Sequence, residues 1–179
     1  SLKRPLGDIE QQTAVAWRIF RRHRGKGALE DLLTVIGSER REAVIHGEVT
    51  AILEETNLSL SDVIFLVDLD RMNEAETYLI ERGDLLNGDF YESLRPLAET
   101  MDTHGRHLAA TVVYRALLDS ILRRGQTKTY PHGVRYLKKL DRLSTFISDW
   151  RGVVDHDTYV QELHRNHGRK SSFWSRYGK

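Results

Sequence analysis

The stretch HLAATVVYRALLDSILRRG, residues 107–125, is apolar around almost the whole circumference of a helix. Leu108, Val112 and Leu122 mark one side, and Ala109, Val113, Leu117 and Ile121 mark another. A helix at the edge of a fold needs one apolar stripe, whereas a helix flanked on several sides needs apolar residues nearly all round. We therefore expect this helix at the centre of the C-terminal half, among other helices. Ala109, Ala110 and Ala116 are small enough to admit close neighbours. Arg115 and Asp119 interrupt this apolar surround, four residues apart on one face. A lone buried charge is costly, while a hydrogen-bonded pair is tolerable. The two residues therefore read first as a structural strut, and second as part of a polar pocket.

Helical patterning recurs along the rest of the chain. Asp8 can cap IEQQTAVAWRIFRRH, which Gly25 and Gly27 end. ALEDLLTVI has helical spacing, and Ser38 can cap the helix after it. DVIFLVDL could pass for a buried strand, but Ser59 followed by Asp62 resembles a capping box that opens a helix there. Pro131 sits at a first-turn position, where its missing N–H costs nothing. Asp155 caps DHDTYVQELHRNH, and Gly168 closes it. We expect an all-α fold of roughly eight to ten helices joined by short turns. The expected architecture is stacked antiparallel helix pairs in a tetratricopeptide-like helical repeat or α-α superhelix. Ala110, Tyr114, Leu117 and Leu118 resemble the second helix of a tetratricopeptide unit, with GDFYESLRPLAETM as its partner. Residues 1–179 read as one such domain, with a possible subdomain edge near residue 103 and, by expectation, as the C-terminal part of a longer protein.

That edge rests on charge. Residues 1–27 carry a net +5, residues 28–102 carry −13 and residues 103–179 carry +9, although the whole chain sums to +1. Such segregation polarises a surface and could draw nucleic acid to the basic ends, or pair acidic with basic faces. RIFRRHRGK at residues 18–26 and HGRKSSFWSRYGK near the C-terminus are the densest basic stretches. The first suits a helix C-terminus by its dipole and could alternatively contact phosphates. The second could stack on bases or grip an acidic partner, although Phe173 and Trp174 fit a packing role equally well.

Enzymatic signatures are sparse. The chain has no cysteine, which excludes a disulfide framework, a thiolate zinc site and a cysteine nucleophile. Gly-rich phosphate loops, the H-E-x-x-H pattern and a nucleophile elbow are missing. Histidines pair at 104/107 and 164/167, with Asp155, His156 and Asp157 nearby, but capping and surface roles account for them without a metal. No apolar stretch is long enough to span a membrane, and we expect a cytoplasmic protein.

Three segments in order carry a resemblance: HLAATVVYRALLDSIL, YPHGVRYLKKLDRL and DHDTYVQELHRNHGRKSSFW. They resemble the C-terminal region of an uncharacterised bacterial family of domains of unknown function. That region is in turn similar to the helical C-terminal arrays of SWIM zinc-finger proteins. His167, Gly168, Arg169, Lys170, Phe173 and Trp174 match the family's HGRK and FW. Arg106-His107-Leu108 stands where the family has His-Pro-Leu, so the helix loses its opening proline. The SWIM finger is built on cysteines that this chain lacks, so the resemblance implies an α-helical superhelix without zinc and without an established activity.

Helical-repeat scaffolds present extended binding surfaces. The expected role is therefore a non-enzymatic scaffold for a protein or peptide partner, with no cofactor or metal; a nucleic-acid-associated module is the alternative. The candidate binding residues are Tyr114, Arg115, Asp119, Tyr130, His132, Arg135, Tyr136, Arg169, Lys170 and Trp174.

Overall fold

The computed structural model describes residues 5–178. They fold into ten α-helices and three short 3-10 turns, with no strand among the described residues. Two compact units divide after Ala75. The first holds α1 (Leu6–Arg22), α2 (Lys26–Ile36), α3 (Arg41–Glu54) and α4 (Leu60–Asp68). The division falls inside α5 (Met72–Glu81). The second unit continues with α6 (Tyr91–Thr103), α7 (His107–Arg124), α8 (Tyr130–Ser144), α9 (His156–His167) and α10 (Ser171–Tyr177). The charge shift near residue 103 lies within this unit, in the turn between α6 and α7. These two helices pack side by side, which is why composition changes there and the fold does not divide.

In the first unit Phe20, Leu29, Leu32, Ile52, Val63, Phe65 and Leu66 form the core. Phe20 meets Phe65 edge to face at 5.9 Å. Beside this core runs a charged network. The Arg24 guanidinium donates from Nε to Glu48 Oε2 (2.8 Å), from Nη1 to Asp62 Oδ2 (3.1 Å) and from Nη2 to Glu55 Oε1 (3.2 Å). Arg21 donates to the other Glu48 oxygen at 3.0 Å and lies over the Trp17 ring. The expected phosphate-contacting stripe thus has two of its arginines bound to carboxylates of the same unit.

In the second unit α7 is flanked by α6 and α8, and thirteen of its eighteen residues are buried. The all-round apolar pattern therefore has the expected cause. The helix opens without a side-chain cap, yet the Ala110 N–H reaches the Arg106 carbonyl at 2.9 Å and His107 stacks on Phe146. Lack of the opening proline is made good locally. Gly125 ends α7 at φ 65°, a left-handed position that costs glycine little. Gly133 lets α8 approach, since a Cβ there would sit 3.1 Å from Phe173 and 3.2 Å from Ile121. None of the helices among the described residues is long and apolar enough to cross a membrane.

Capping follows the sequence in part. Ser59 accepts from the Asp62 N–H and opens α4, so DVIFLVDL is helix. Pro131 stands in the first turn of α8. Asp8 is no cap: α1 begins at Leu6, Pro5 stands at the cap position, and the Asp8 N–H bonds the Pro5 carbonyl inside the first turn. Ser38 enters a 3-10 turn instead of capping α3.

Asp155 caps α9 by accepting the Thr158 N–H at 2.8 Å, and that bond holds its carboxyl below the ordinary range. A depressed folded value stabilises the fold above the unfolded value, and the contribution is lost as pH falls through the folded one. The Asp155→Ala variant should therefore melt below the wild type at neutral pH and converge on it in acid. Melting curves between about pH 7 and pH 3 test this, and a constant gap across that range would refute it.

Candidate functional site

A concavity of about 710 Å³ lies in the second unit. Its floor is α7, through Val112, Arg115, Ala116 and Asp119. The 83–88 loop forms one wall, the 151–154 segment a second, and Tyr159 with Glu162 of α9 a third. Each wall is fixed by a different device. Gly88 lies directly on α7: a Cβ there would fall 2.0 Å from the Ala116 carbonyl oxygen. Next to it Asp89 accepts from the Ser120 hydroxyl at 2.5 Å and from Arg123 at 2.8 Å. The Ser120 bond foremost, with Arg123 and Arg124 near, lowers the Asp89 carboxyl below its usual range. The 151–154 segment turns through left-handed backbone at Arg151 (φ 48°) and Gly152 (φ 80°). Arg151 reaches back to Thr77 at 3.2 Å and Glu76 at 3.7 Å.

Arg115 lies at the inner end, only 7% exposed. Its Nη1 donates to the Val154 carbonyl at 2.6 Å. The guanidinium lies 4.3 Å from the Tyr159 ring centre and 5.4 Å from that of Trp150. Its Nε and Nη2 are buried without a hydrogen-bond partner. Asp119 lines the cavity and is exposed, so of the two charges only Arg115 is buried. Partial desolvation at the cavity wall raises the Asp119 carboxyl above the ordinary range, while the Tyr159 hydroxyl, donating at 2.7 Å, opposes the rise. Arg115 and Asp119 do not bond each other; Tyr159 stands between them, offering its ring to one and its hydroxyl to the other. The expected pair along one helix face does not form; Arg115 ties α7 to the Val154 segment and Asp119 ties it to α9.

The other candidate residues do not gather here. Tyr114, Tyr130, Tyr136 and Trp174 are buried. Tyr114 packs 5.7 Å from Tyr136, and burial pushes its hydroxyl up to about 12. Tyr130 meets Phe173 edge to face, and the Trp174 Nε1 donates to the His167 carbonyl at 2.9 Å. Aromatic residues on a helix with neighbours on several sides turn inward, because that is where their area is removed from water. The expectation that they line a groove is corrected accordingly. His132 and Arg135 are exposed and pair with each other, and Arg169 is exposed with Lys170 half-buried.

Sequence reasoning missed Tyr159, Glu162 and the Trp150–Val154 segment. Tyr159 and Glu162 share a face of α9 at i, i+3, a signal that was there to be found. Trp150 and Val154 lie in irregular chain, where no periodicity marks which side chain or carbonyl faces inward.

A second concavity, about 510 Å³, is lined by Asp141, His156, His164 and Tyr177. His156 Nε2 lies 2.7 Å from Asp141 Oδ1, and the Tyr177 hydroxyl donates to the same carboxylate. Asp141 thereby ties α8 to α9 and α10. His164 stacks on Trp174 at 3.8 Å, so these side chains are engaged with one another. Among the described residues no three His, Asp or Glu gather as metal ligands.

A family model described as a family of unknown function, DUF6880, matches residues 4–176. No curated protein and no solved structure matches the chain.

Proposed function

The chain belongs to the DUF6880 family of unknown function, and from that premise we propose that it is a non-enzymatic binding module whose second unit takes a segment of a partner protein into the Arg115–Asp119 cavity. The observation that carries this reading is the character of the walls. The cavity is polar inside, yet the segments that bound it expose Leu85 (53%) and Val154 (44%) to solvent. Apolar side chains beside a polar recess fit a protein ligand, whose main chain and side chains offer both kinds of contact. The cavity volume is in the range of sites that hold a few residues. Asp84, Asp119 and Glu162 line it without a salt bridge among the described residues, so acceptors are available to a ligand.

The helix hairpins of this unit fit a tetratricopeptide-like array, similar to the helical arrays of SWIM zinc-finger proteins and serving as a scaffold in a bacterial cytoplasm. Nucleic acid is the alternative partner. The commitment of Arg21 and Arg24 to Glu48, Glu55 and Asp62 favours a protein instead.

Panning a random-peptide library against the chain tests the reading. Convergent sequences are expected, and their binding should be lost in Glu162→Arg, which puts a long cation on the cavity wall while leaving the helical spectrum intact. Peptides that share no feature, or that bind the variant unchanged, would overturn it.

A further inference from the structure

The geometry of Arg115 points to a more specific ligand, and this step rests on the partner-protein reading above. We propose that the Nε–Nη2 edge of Arg115 receives the C-terminal carboxylate of a partner's polypeptide chain.

The two nitrogens of Arg115 that lack partners are not scattered. Nε and Nη2 share one edge of the guanidinium and point their N–H bonds the same way, a fork that matches the two oxygens of a carboxylate. The remaining donors are accounted for differently: Nη1 is engaged by the Val154 carbonyl, and the faces are covered by Tyr159 and Trp150. Arginine cannot escape burial by giving up its proton. A guanidinium in a residue only 7% exposed, with no acceptor on its Nε–Nη2 edge, therefore has two donors left to satisfy. Asp119, the nearest acidic group on α7, does not supply it, because its carboxylate is turned to the Tyr159 hydroxyl.

The surroundings select among anions. Asp119, Asp155 and Glu162 lie around Arg115, and a doubly charged phosphate would meet all three. A carboxylate brings a single negative charge. A chain terminus also brings the N–H of its last peptide bond close to that charge, and the Asp119 carboxylate, an acceptor, lines the same cavity as Arg115. A Lys or Arg shortly before the end would find Glu162 and Asp84 on the walls. Both nitrogens of the fork are enclosed, so entry requires a neighbouring segment to draw back, and the Trp150–Val154 segment adjoins the guanidinium at Nη1 and at one face. That segment is held by the single Arg115 bond at Val154 and by Arg151 at Thr77 and Glu76.

The test uses a random hexapeptide pool made in two forms, free acid and C-terminal amide, equilibrated with the whole chain and read by mass spectrometry of the bound fraction. Free acids should be retained about tenfold or more over amides, as loss of a charge-assisted pair of bonds implies. In Arg115→Met, which removes both the charge and the fork, that preference should vanish, and in Arg115→Lys, which keeps the charge alone, it should fall severalfold. Should the variants fail to fold, the acid-to-amide ratio on the wild-type chain decides alone. Equal retention of both forms overturns this inference and leaves the partner-protein reading standing. Retention of amides through internal Asp or Glu would show that the fork reads a side chain and overturn the terminus. Retention of neither form overturns both.

Discussion

Gly88→Ala should lower the stability of the second unit by about 3 kcal/mol or more, an unusual penalty for one methyl group in a loop. The added Cβ would lie 2.0 Å from the Ala116 carbonyl oxygen, 2.7 Å from its carbon and 2.7 Å from Ser120 Cβ. Two of these are backbone atoms of the most enclosed helix in the unit, so nothing flexible can move aside. The loop must lift instead, and the Ser120 and Arg123 bonds to Asp89 would be lost with it. Gly27→Ala is the control: a Cβ there meets nothing within 4 Å, and in the first turn of α2 alanine should be neutral or slightly favourable. Denaturant midpoints compare the two. A Gly88 variant that unfolds with the wild-type midpoint would show that the loop does not rest on α7 as described.

The second large effect is expected at Arg24. Replacing it with methionine keeps much of the stem's packing and removes the charge that Glu48 and Asp62 share. Both carboxylates are nearly enclosed. Asp62 loses its cation outright while Glu48 keeps only Arg21, and the loss should cost about 3 kcal/mol. The variant also carries a pH signature. Burial already raises the Asp62 carboxyl above its ordinary range, with Arg24 opposing the rise. Without Arg24 it rises further, so the folded state binds a proton that the unfolded state does not. Stability then falls as pH rises through that window, and mild acid restores part of the loss. The combined replacement Arg24→Met, Glu48→Gln and Asp62→Asn should recover more of it at neutral pH. Denaturant unfolding at about pH 5 and pH 7 separates these outcomes. An Arg24 variant no less stable than the wild type would dismiss the network as a surface decoration.

The helices and the position of α7 were legible because they rest on periodicity and on local chemistry. Apolar residues around the full circumference predict neighbours on all sides, and Ser59, Pro131 and Asp155 mark helix starts within a few residues of sequence. The candidate site was legible only where it shares that helix. Arg115 and Asp119 were visible as charges out of place, but what they touch was not. Tyr159 lies forty residues from Asp119 along the chain, and the Val154 carbonyl bonds Arg115 by main chain, which carries no side-chain signal. The buried tyrosines failed as groove residues for a related reason. Helix face tells which residues point together, but only the packed neighbour tells whether that face meets solvent. Likewise the charge shift near residue 103 reported composition, while the division of the fold follows packing and falls inside α5.

The enclosure of α7 also bears on how the protein is made. Its flanking helices come from opposite directions along the chain: α6 is synthesised before it and α8 after it. When α7 leaves the ribosome, α6 can cover one side, but Leu118 and Ile121, which lie against Gly133 of α8, stay bare until the residues of α8 follow. For that interval the nascent chain displays an apolar helix with nothing against it, the kind of surface that chaperones bind and that aggregates when crowded. The contacts are between successive helices, so closure is quick once α8 is free. Truncation before Tyr130 should therefore yield an insoluble product, with α7 as the sticky segment.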